Sequence, residues 1–390
     1  MKSASLLLIL LALAFSSAAD AAPTRSALAP NAAKASILAP PRTQAPPHTQ
    51  GEQMGAFVEL RDDKTPTDIS ALGLGWVRIM YDWTWLEPEP GHYNWTEFDQ
   101  WIARAKAHHL KVLAVAQGSP AWANGGHKPG DPQSGTDTSP LPEYVPQFAA
   151  YAAGMVQHGA DAVEIWNEPN WGFWKPAPDA KAWANLVVAS YDAVKAVNPA
   201  IPVVTGGTCS VAGGIDSPNS PLHFLQTALE STPQLATKFD GFGFHPYVFA
   251  DDPVAKDPLT AIYKWNLILQ AADIHTLLVK YHAGDKPMWF TEYGVPTGGP
   301  FGAVPADQSG VTYQHYFQAF DRLAKGGVTL GPMFFWTLYD SDGYRKANMM
   351  EGWEGIYEVN GNPKASVAVI KERARQIILP TSPLSAVKNR

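Results

Sequence analysis

Residues 163–170 read VEIWNEPN: an apolar run climbs to Asn167 and Glu168, and Pro169 then stops it. A short β-branched and aromatic run ended by a proline has the pattern of a buried strand, since proline cannot donate to a ladder and closes it. A carboxyl group at the end of such a strand is costly to place there without a purpose. Seven further runs of the same kind flank this one in the chain. They are GAFVEL (55–60), WVRIMY (76–81), KVLAVA (111–116), PVVTG (202–206), GFGFH (241–245), PMWFTE (287–292) and GPMFFWT (331–337), with AVEIW (162–166) the fourth of the eight.

Between the runs lie helical patterns. Phe98, Trp101, Ile102 and Ala105 fall on one helical face, as do Val145, Phe148, Ala149, Ala152 and Val156, because i, i+3, i+4, i+7 spacing aligns side chains at 3.6 residues per turn. Strand and helix alternating eight times predicts a mixed α/β fold, a single-domain (β/α)8 barrel over 54–380. An open doubly wound sheet alternates too, but it carries a glycine-rich phosphate loop after its first strand. The exit here is ELRDDKTP (59–66).

The 390 residues carry a net charge of −7 and are 46% apolar, enough for a sizeable core. With no run of Lys or Arg, the chain lacks the basic face that nucleic acid requires. The start, MKSASLLLILLALAFSSAADAAP, has Lys2, an apolar run from Leu6 to Phe15 and small residues at Ala19-Asp20-Ala21. It reads as a cleaved signal peptide over 1–21, its apolar run too short for a membrane span, so the expected location is secreted or periplasmic. Residues 22–53, rich in Pro and Ala, read as a disordered linker, and 381–390 as a tail. Cys209 is the only cysteine; with no obvious His near it in TGGTCSVAGG, it reads as structural. No internal disulfide can form.

In a (β/α)8 barrel the chemistry sits at the C-terminal ends of the strands. Those ends bring Arg78 on the second strand, Gln117 and Trp122 after the third, and Asn167 and Glu168 on the fourth. The sixth, seventh and eighth bring His245 and Tyr247, Glu292, and Trp336. The fourth and seventh strands face each other across the mouth, so two Glu carboxyls meet over one pocket, as glycosidic bond hydrolysis requires. One must stay protonated and the other ionised. An Arg at a buried strand end, Arg78, is placed to hold Glu292 ionised. Trp83, Trp85, Trp171, Phe173 and Trp174 fall on loops, where aromatic rings either plug the barrel top or stack on sugar faces.

Four of these segments, in order, resemble a known group. WNEPN (166–170) and FTEYG (290–294) are similar to the acid/base and nucleophile motifs of glycoside hydrolase clan A, the retaining (β/α)8-barrel glycosidases. WLEPEPGHYNW (85–95) and SPAWA (119–123) resemble family 39 most and the cellulase-like family 5 next. The resemblance implies that Glu168 is the general acid/base and Glu292 the nucleophile. It implies too that Asn167 binds the sugar 2-hydroxyl, that Tyr247 or His245 orients Glu292, and that Trp336 is a platform under the sugar. Arg78, Trp122, Trp171 and Trp174 complete the expected substrate-binding set. The chain departs from family 5 at Gln117, where that family has a His, and lacks the extra β-sandwich of the family 39 xylosidases, so xylosidase specificity does not carry over.

The expected function is a secreted O-glycosyl hydrolase acting on a β-linked polysaccharide or oligosaccharide as a monomer, with no cofactor. The alternatives are a transglycosylase using the same residues and a glycan-binding barrel without activity. His245, Asp251 and Asp252 show no recurrent metal-ligand spacing, and no metal is expected. His245 alone reads equally as a hydrogen-bonded core histidine.

Overall fold

The computed structural model describes residues 49–127, 138–210, 217–248, 257–259, 266–300 and 302–377. The expected signal peptide, residues 22–48 of the expected linker, Asp251, Asp252 and the tail lie outside them. Among the described residues nine strands, all parallel, form one sheet: β1 (Met54–Phe57), β2 (Trp76–Asp82), β3 (Lys111–Gln117), β4 (Ala162–Ile165), β5 (Val203–Thr205), β6 (Thr208–Cys209), β7 (Phe242–His245), β8 (Met288–Tyr293) and β9 (Leu330–Phe335). Their order is β5-β4-β3-β2-β1-β9-β8-β7-β6. A parallel bridge between Val204 and Gly241 joins β5 to the start of β7, so the two ends of the sheet meet. The fold is the expected (β/α)8 barrel.

The fifth barrel strand differs from the sequence reading. It breaks at Gly206-Gly207 and resumes as β6 beside β7, with Cys209 opposite His245. The break has a steric cause: a Cβ on Gly207 would lie 2.0 Å from His245 Nε2 and 2.6 Å from Thr291 Oγ1. Only glycine lets the backbone pass there.

Helices α1 (Lys64–Leu72), α2 (Trp83–Leu86), α3 (Thr96–Ala107), α4 (Val145–Gln157), α5 (Ala180–Val197), α6 (Pro221–Ser231), α7 (Leu267–Lys280), α8 (Ser309–Lys325), α9 (Asp342–Lys346) and α10 (Ser366–Arg375) occur along the chain. The faces read from the spacing are the buried ones, except that Val145 at the start of α4 is only half-buried. On α3 these are Phe98, Trp101, Ile102 and Ala105, and α4 buries Phe148, Ala149, Ala152 and Val156 together with Tyr151. Strand residues are buried on both sides, as in any parallel sheet covered by helices. No helix among the described residues is long and apolar enough to cross a membrane.

The expected linker boundary at residue 53 falls too late. Gln50–Gln53 form a 3-10 turn with Glu52 capping the Thr49 N–H, and Gly51 is buried. Gln50 N–H donates to Gln376 and Thr49 bridges Ile377, so the segment packs against the C-terminal end of α10. Pro- and Ala-rich composition upstream hid these five residues because their order comes largely from backbone pairing with a distant segment.

Candidate active site

Alternation along the strands stacks the barrel interior in layers. Trp76, Leu113, Ala162, Val204, Trp289 and Phe334 form an apolar cluster of their own. The Trp76 ring meets Trp289 edge-on at 5.7 Å although β2 and β8 are not neighbours, which places the cluster inside the barrel. Two residues further along the same strands come Arg78, Glu164, Thr291 and Trp336. An apolar floor thus carries a polar network.

Arg78 is fully buried and its guanidinium is shared three ways. Nε donates to Glu164 at 2.7 Å, Nη1 to Glu292 at 2.6 Å and Nη2 to Asn167 Oδ1 at 2.9 Å. A planar fork of fixed donors suits such a position in a way that Lys does not. Glu164 also accepts from Gly207 N–H at 2.9 Å and from Thr291 Oγ1 at 2.8 Å.

Strict alternation would point Thr291 and Glu292 to opposite sides of β8. The register with β9 shows why both face inward: Phe290 pairs Met333 and Tyr293 pairs Phe335, so β8 carries one extra residue between the pairs. This is a β-bulge, which re-aims side chains next to sites. Phe290 and Tyr293 pack outward on Phe320, at ring distances of 4.5 and 5.3 Å. Thr291 and Glu292 are left to the interior. Tyr247 donates to Glu292 Oε2 at 2.9 Å.

At the end of β4 the backbone takes left-handed values at Trp166 (φ 73°) and Glu168 (φ 42°), conformations that surrounding contacts must hold for residues with a Cβ. The Trp166 ring is buried against Phe148 and Trp174, and its Nε1 donates to Phe173 O at 2.6 Å. Glu168 N–H donates to Gly207 O at 3.0 Å. Its Oε1 lies 2.9 Å from His245 Nδ1, and His245 Nε2 is 3.0 Å from Thr291 Oγ1.

The two carboxyls sit in different fields. Burial pushes Glu168 far above the usual carboxylate range and the charge of Glu292 pushes the same way, with a Cys209 hydrogen bond and Arg78 opposing. Burial raises Glu292 also, but Arg78 first and then the Tyr247 hydrogen bond pull it back. Full burial therefore modifies the simple expectation that Arg78 leaves Glu292 an ordinary carboxylate. Both carboxyls are thus raised, Glu168 further than Glu292, because Arg78 and Tyr247 oppose burial chiefly at Glu292. Burial and Arg78 together drive the His245 pKa well down, leaving a neutral imidazole.

Above this network opens a cleft of about 440 Å³ lined by Asn167, Glu168, Tyr247, Glu292 and Trp336, with Trp85, Trp171, Phe173, Tyr344 and Met349 exposed along its walls. Trp336 stacks on Phe57 at 4.3 Å. A second hollow of about 610 Å³ adjoins it across Phe57, Glu59, Trp336 and Tyr344. His245 lies beneath the cleft and reaches it through Glu168.

Two expected substrate-binding residues are placed elsewhere. Trp122 packs edge-on against Trp83 at 5.1 Å and Tyr144 at 5.5 Å, and its Nε1 donates to Glu87 O, which holds the loop after β3. Trp174 is buried against Trp166 at 4.9 Å. Among the described residues neither lines the cleft. Cys209, read as merely structural, lines the cleft and hydrogen-bonds Glu168.

Three residues were missed. Glu164 stands inside the opening stretch, and a charge within an apolar strand was its signal. Thr291 stands inside FTEYG. Glu354, in a segment with no periodicity, is buried in the cleft wall with Oε1 lacking a hydrogen-bond partner, and burial raises its pKa far above the usual range.

One ligand atom each from Glu168, His245 and Glu292 lies within 4.8 Å of the others, a spacing a metal ion can bridge. The arrangement suits proton handling better: a cation there would meet the Arg78 guanidinium, and Nδ1 already bonds Glu168.

Fold and site together define a (β/α)8 barrel with paired carboxyl groups at its C-terminal mouth. Comparison with known proteins agrees on the fold. The barrel of a family 39 glycoside hydrolase from the gut symbiont Bacteroides cellulosilyticus WH2 matches with a TM-score of 0.63 at 21% identity, covering 84% of this chain and 65% of that one. A family 39 enzyme from Xanthomonas axonopodis pv. citri matches at 0.60 and 17% identity over 83% and 66%, and a monomeric beta-xylosidase from Caulobacter crescentus CB15 at 0.60 and 19% over 84% and 68%. The chain thus spans about two thirds of the length of these structures, and at such identities the likeness establishes the fold. A family model described as beta-galactosidase, glycoside hydrolase family 42, matches residues 62–129, a stretch that contains Arg78 and neither catalytic candidate. No curated protein sequence matches the chain.

Proposed function

We propose that the protein is a retaining glycosidase of β-linked neutral glycans, with Glu168 as acid/base and Glu292 as nucleophile. The observation that carries this reading is the pair itself. One oxygen of Glu168 lies within 4.8 Å of one oxygen of Glu292, which bounds the nearest approach of the two carboxyl groups. Retaining enzymes hold their carboxyls roughly 5–5.5 Å apart, whereas inverting ones need roughly 6.5–9.5 Å to admit a water. In the first step Glu168 protonates the glycosidic oxygen as the C1–O bond breaks and Glu292 bonds C1. In the second, water attacks C1, Glu168 takes its proton and the C1–Glu292 bond breaks. Arg78 and Tyr247 hold Glu292 in place for attack. Asn167 Oδ1 is engaged by Arg78, which leaves its NH2 to donate to a sugar 2-hydroxyl.

Substrate charge follows from the lining. Glu59, Asp82, Glu292 and Glu351 line the cleft beside Glu168 and Glu354, whose burial favours the protonated form, and among the described residues its lining holds no Lys or Arg, whereas Arg61 and Lys64 line the adjoining hollow. At the point of cleavage such a field disfavours a uronic or sulfated sugar. The adjoining hollow and the exposed rings of Trp85, Trp171 and Phe173 favour an oligosaccharide or polysaccharide over a single glycoside. Export remains part of the proposal and rests on the signal-like start. The intact Arg78–Glu292–Tyr247 set favours activity over mere glycan binding.

The test is a screen of purified protein against neutral polysaccharides, polyuronates and aryl β-glycosides, with Glu292→Ala as control. Release of sugar from a neutral β-glycan, lost in the control, is the expected result. Cleavage of polyuronates alone, or activity that survives in Glu292→Ala, overturns the reading.

A further inference from the structure

His245 is fully buried, and each of its ring nitrogens has one close hydrogen-bond partner. Nδ1 meets Glu168 Oε1 at 2.9 Å and Nε2 meets Thr291 Oγ1 at 3.0 Å. Which nitrogen carries the proton follows from Thr291. A hydroxyl has one hydrogen, and that of Thr291 points to Glu164 Oε1 at 2.8 Å. Glu164 has no proton to return: Gly207 N–H donates to Oε1 and the Arg78 guanidinium to Oε2. Thr291 Oγ1 must then accept from His245, so Nε2 carries a proton, and because burial and the Arg78 charge disfavour a second proton on the ring, it is the only one. Nδ1 is left bare and can only accept, and the 2.9 Å contact with Glu168 forms only if Glu168 supplies the proton.

We infer that Thr291 and Glu164 are positioning residues that lock His245 in its Nε2–H tautomer and thereby keep the proton on Glu168. The inference rests on the proposed reading of Glu168 as the acid. The lock acts in both steps. Before the first, the bare Nδ1 favours protonated Glu168. After Glu168 has given its proton to the leaving oxygen, its carboxylate faces a bare nitrogen, two acceptors in contact. That repulsion makes Glu168 a better base toward the incoming water, and the proton it takes restores the starting state. Without the lock the ring can move its proton to Nδ1, donate to ionised Glu168 and drain the acid.

Among the described residues, the other titratable or charged groups facing the pair include Arg78 from β2, Cys209 from β6 and Tyr247 from the loop after β7. Glu292 faces it from β8, and Glu351 and Glu354 from the segment after β9. None of them bonds Nε2, so none can substitute for Thr291 in choosing the tautomer.

The test compares wild type, Thr291→Val, which keeps the shape and removes the hydroxyl, and Thr291→Ser, which keeps the hydroxyl. In 15N-histidine NMR of the resting protein, the His245 signal, assigned by its loss in His245→Asn, is expected to show a protonated Nε2 and a bare Nδ1. Thr291→Val should move the proton toward Nδ1, and Thr291→Ser should not. In kinetics, the basic limb of the kcat/KM profile should move down by about one pH unit in Thr291→Val. Its kcat should fall about tenfold or more for a substrate with a poor leaving group and little for a dinitrophenyl glycoside, which needs no acid. A protonated Nδ1 in wild type overturns the inference, even if Thr291→Val does not fold. So does a Val variant with unchanged basic limb and tautomer. If the wild type hydrolyses no glycoside, the proposed function fails, while the NMR result still decides the tautomer.

Discussion

Replacing Arg78 by Met removes one guanidinium and leaves two carboxyl groups, Glu164 and Glu292, buried beside the amide oxygen of Asn167 without their shared donor. Breaking a buried ion pair from one side costs about 3–5 kcal/mol, because the remaining charge is uncompensated. At about 2 °C per kcal/mol, the low end of the scale and the one that larger domains follow, the melting temperature should fall by roughly 6–10 °C. The chemistry should suffer separately. Arg78 is the largest cause opposing the burial that raises Glu292, so its loss lets Glu292 hold a proton to higher pH. The acidic limb of kcat/KM then moves up, and activity near neutrality falls by at least about a hundredfold, the scale for losing one fixed electrostatic group. The double variant Arg78→Met/Glu164→Gln tells the two effects apart, since it removes one stranded charge. Stability should recover in part and activity should not. Thermal denaturation and pH profiles on an aryl glycoside measure both. Wild-type melting and an unmoved acidic limb in Arg78→Met would refute the reasoning.

Glu354 binds its proton more tightly folded than unfolded, because burial raises its pKa. Stability from that proton is present below the unfolded value of about 4.3 and is lost as pH rises from there toward the folded value. Glu354→Gln has no proton to lose, so its melting temperature should gain on wild type as pH rises; a pH-independent difference counts against this. Trp85 and Trp171, 62% and 44% exposed, should act on long substrates only. Alanine at either should lower kcat/KM on polysaccharide about fivefold, at roughly 1 kcal/mol per ring contact, and leave aryl monoglycosides and melting unchanged. Equal losses on both substrates would place the rings at the point of cleavage. The mature protein recovered from its native host should begin near Ala22, and an intact Met1 in the exported fraction would contradict the signal reading.

The eight strands were legible because each is a β-branched or aromatic run bounded by helical spacing, and period-two patterns survive without tertiary information. Glu168, Glu292 and Arg78 were legible because strand ends in a barrel converge. What stayed hidden depends on contacts between distant segments. Nothing local in PMWFTEYG marks the extra residue that turns Thr291 and Glu292 to the same side, since the bulge exists only in register with β9. Glu164 had a signal, a charge amid Val163 and Ile165, but its meaning required Arg78, 86 residues away. TGGTC drew attention only for its cysteine, whereas Gly207 is what admits His245 and Thr291. Trp122 and Trp174 were assigned to substrate because they stand on loops. Loops of this barrel also carry their own small cores, and a single tryptophan does not reveal which side of a loop it faces.

The claim on which the rest depends is that Glu292 bonds the sugar. Incubating the protein with a panel of activated 2-deoxy-2-fluoro β-glycosides should trap the covalent intermediate with the sugar that fits, because the fluorine slows both steps and the good leaving group restores only the first. Intact mass should rise by one fluorosugar, and the labelled peptide should contain FTEYG with the modification on Glu292. A label on Glu168 or Glu354 would contradict the account, as would turnover of an aryl glycoside that releases the inverted anomer first with no label formed.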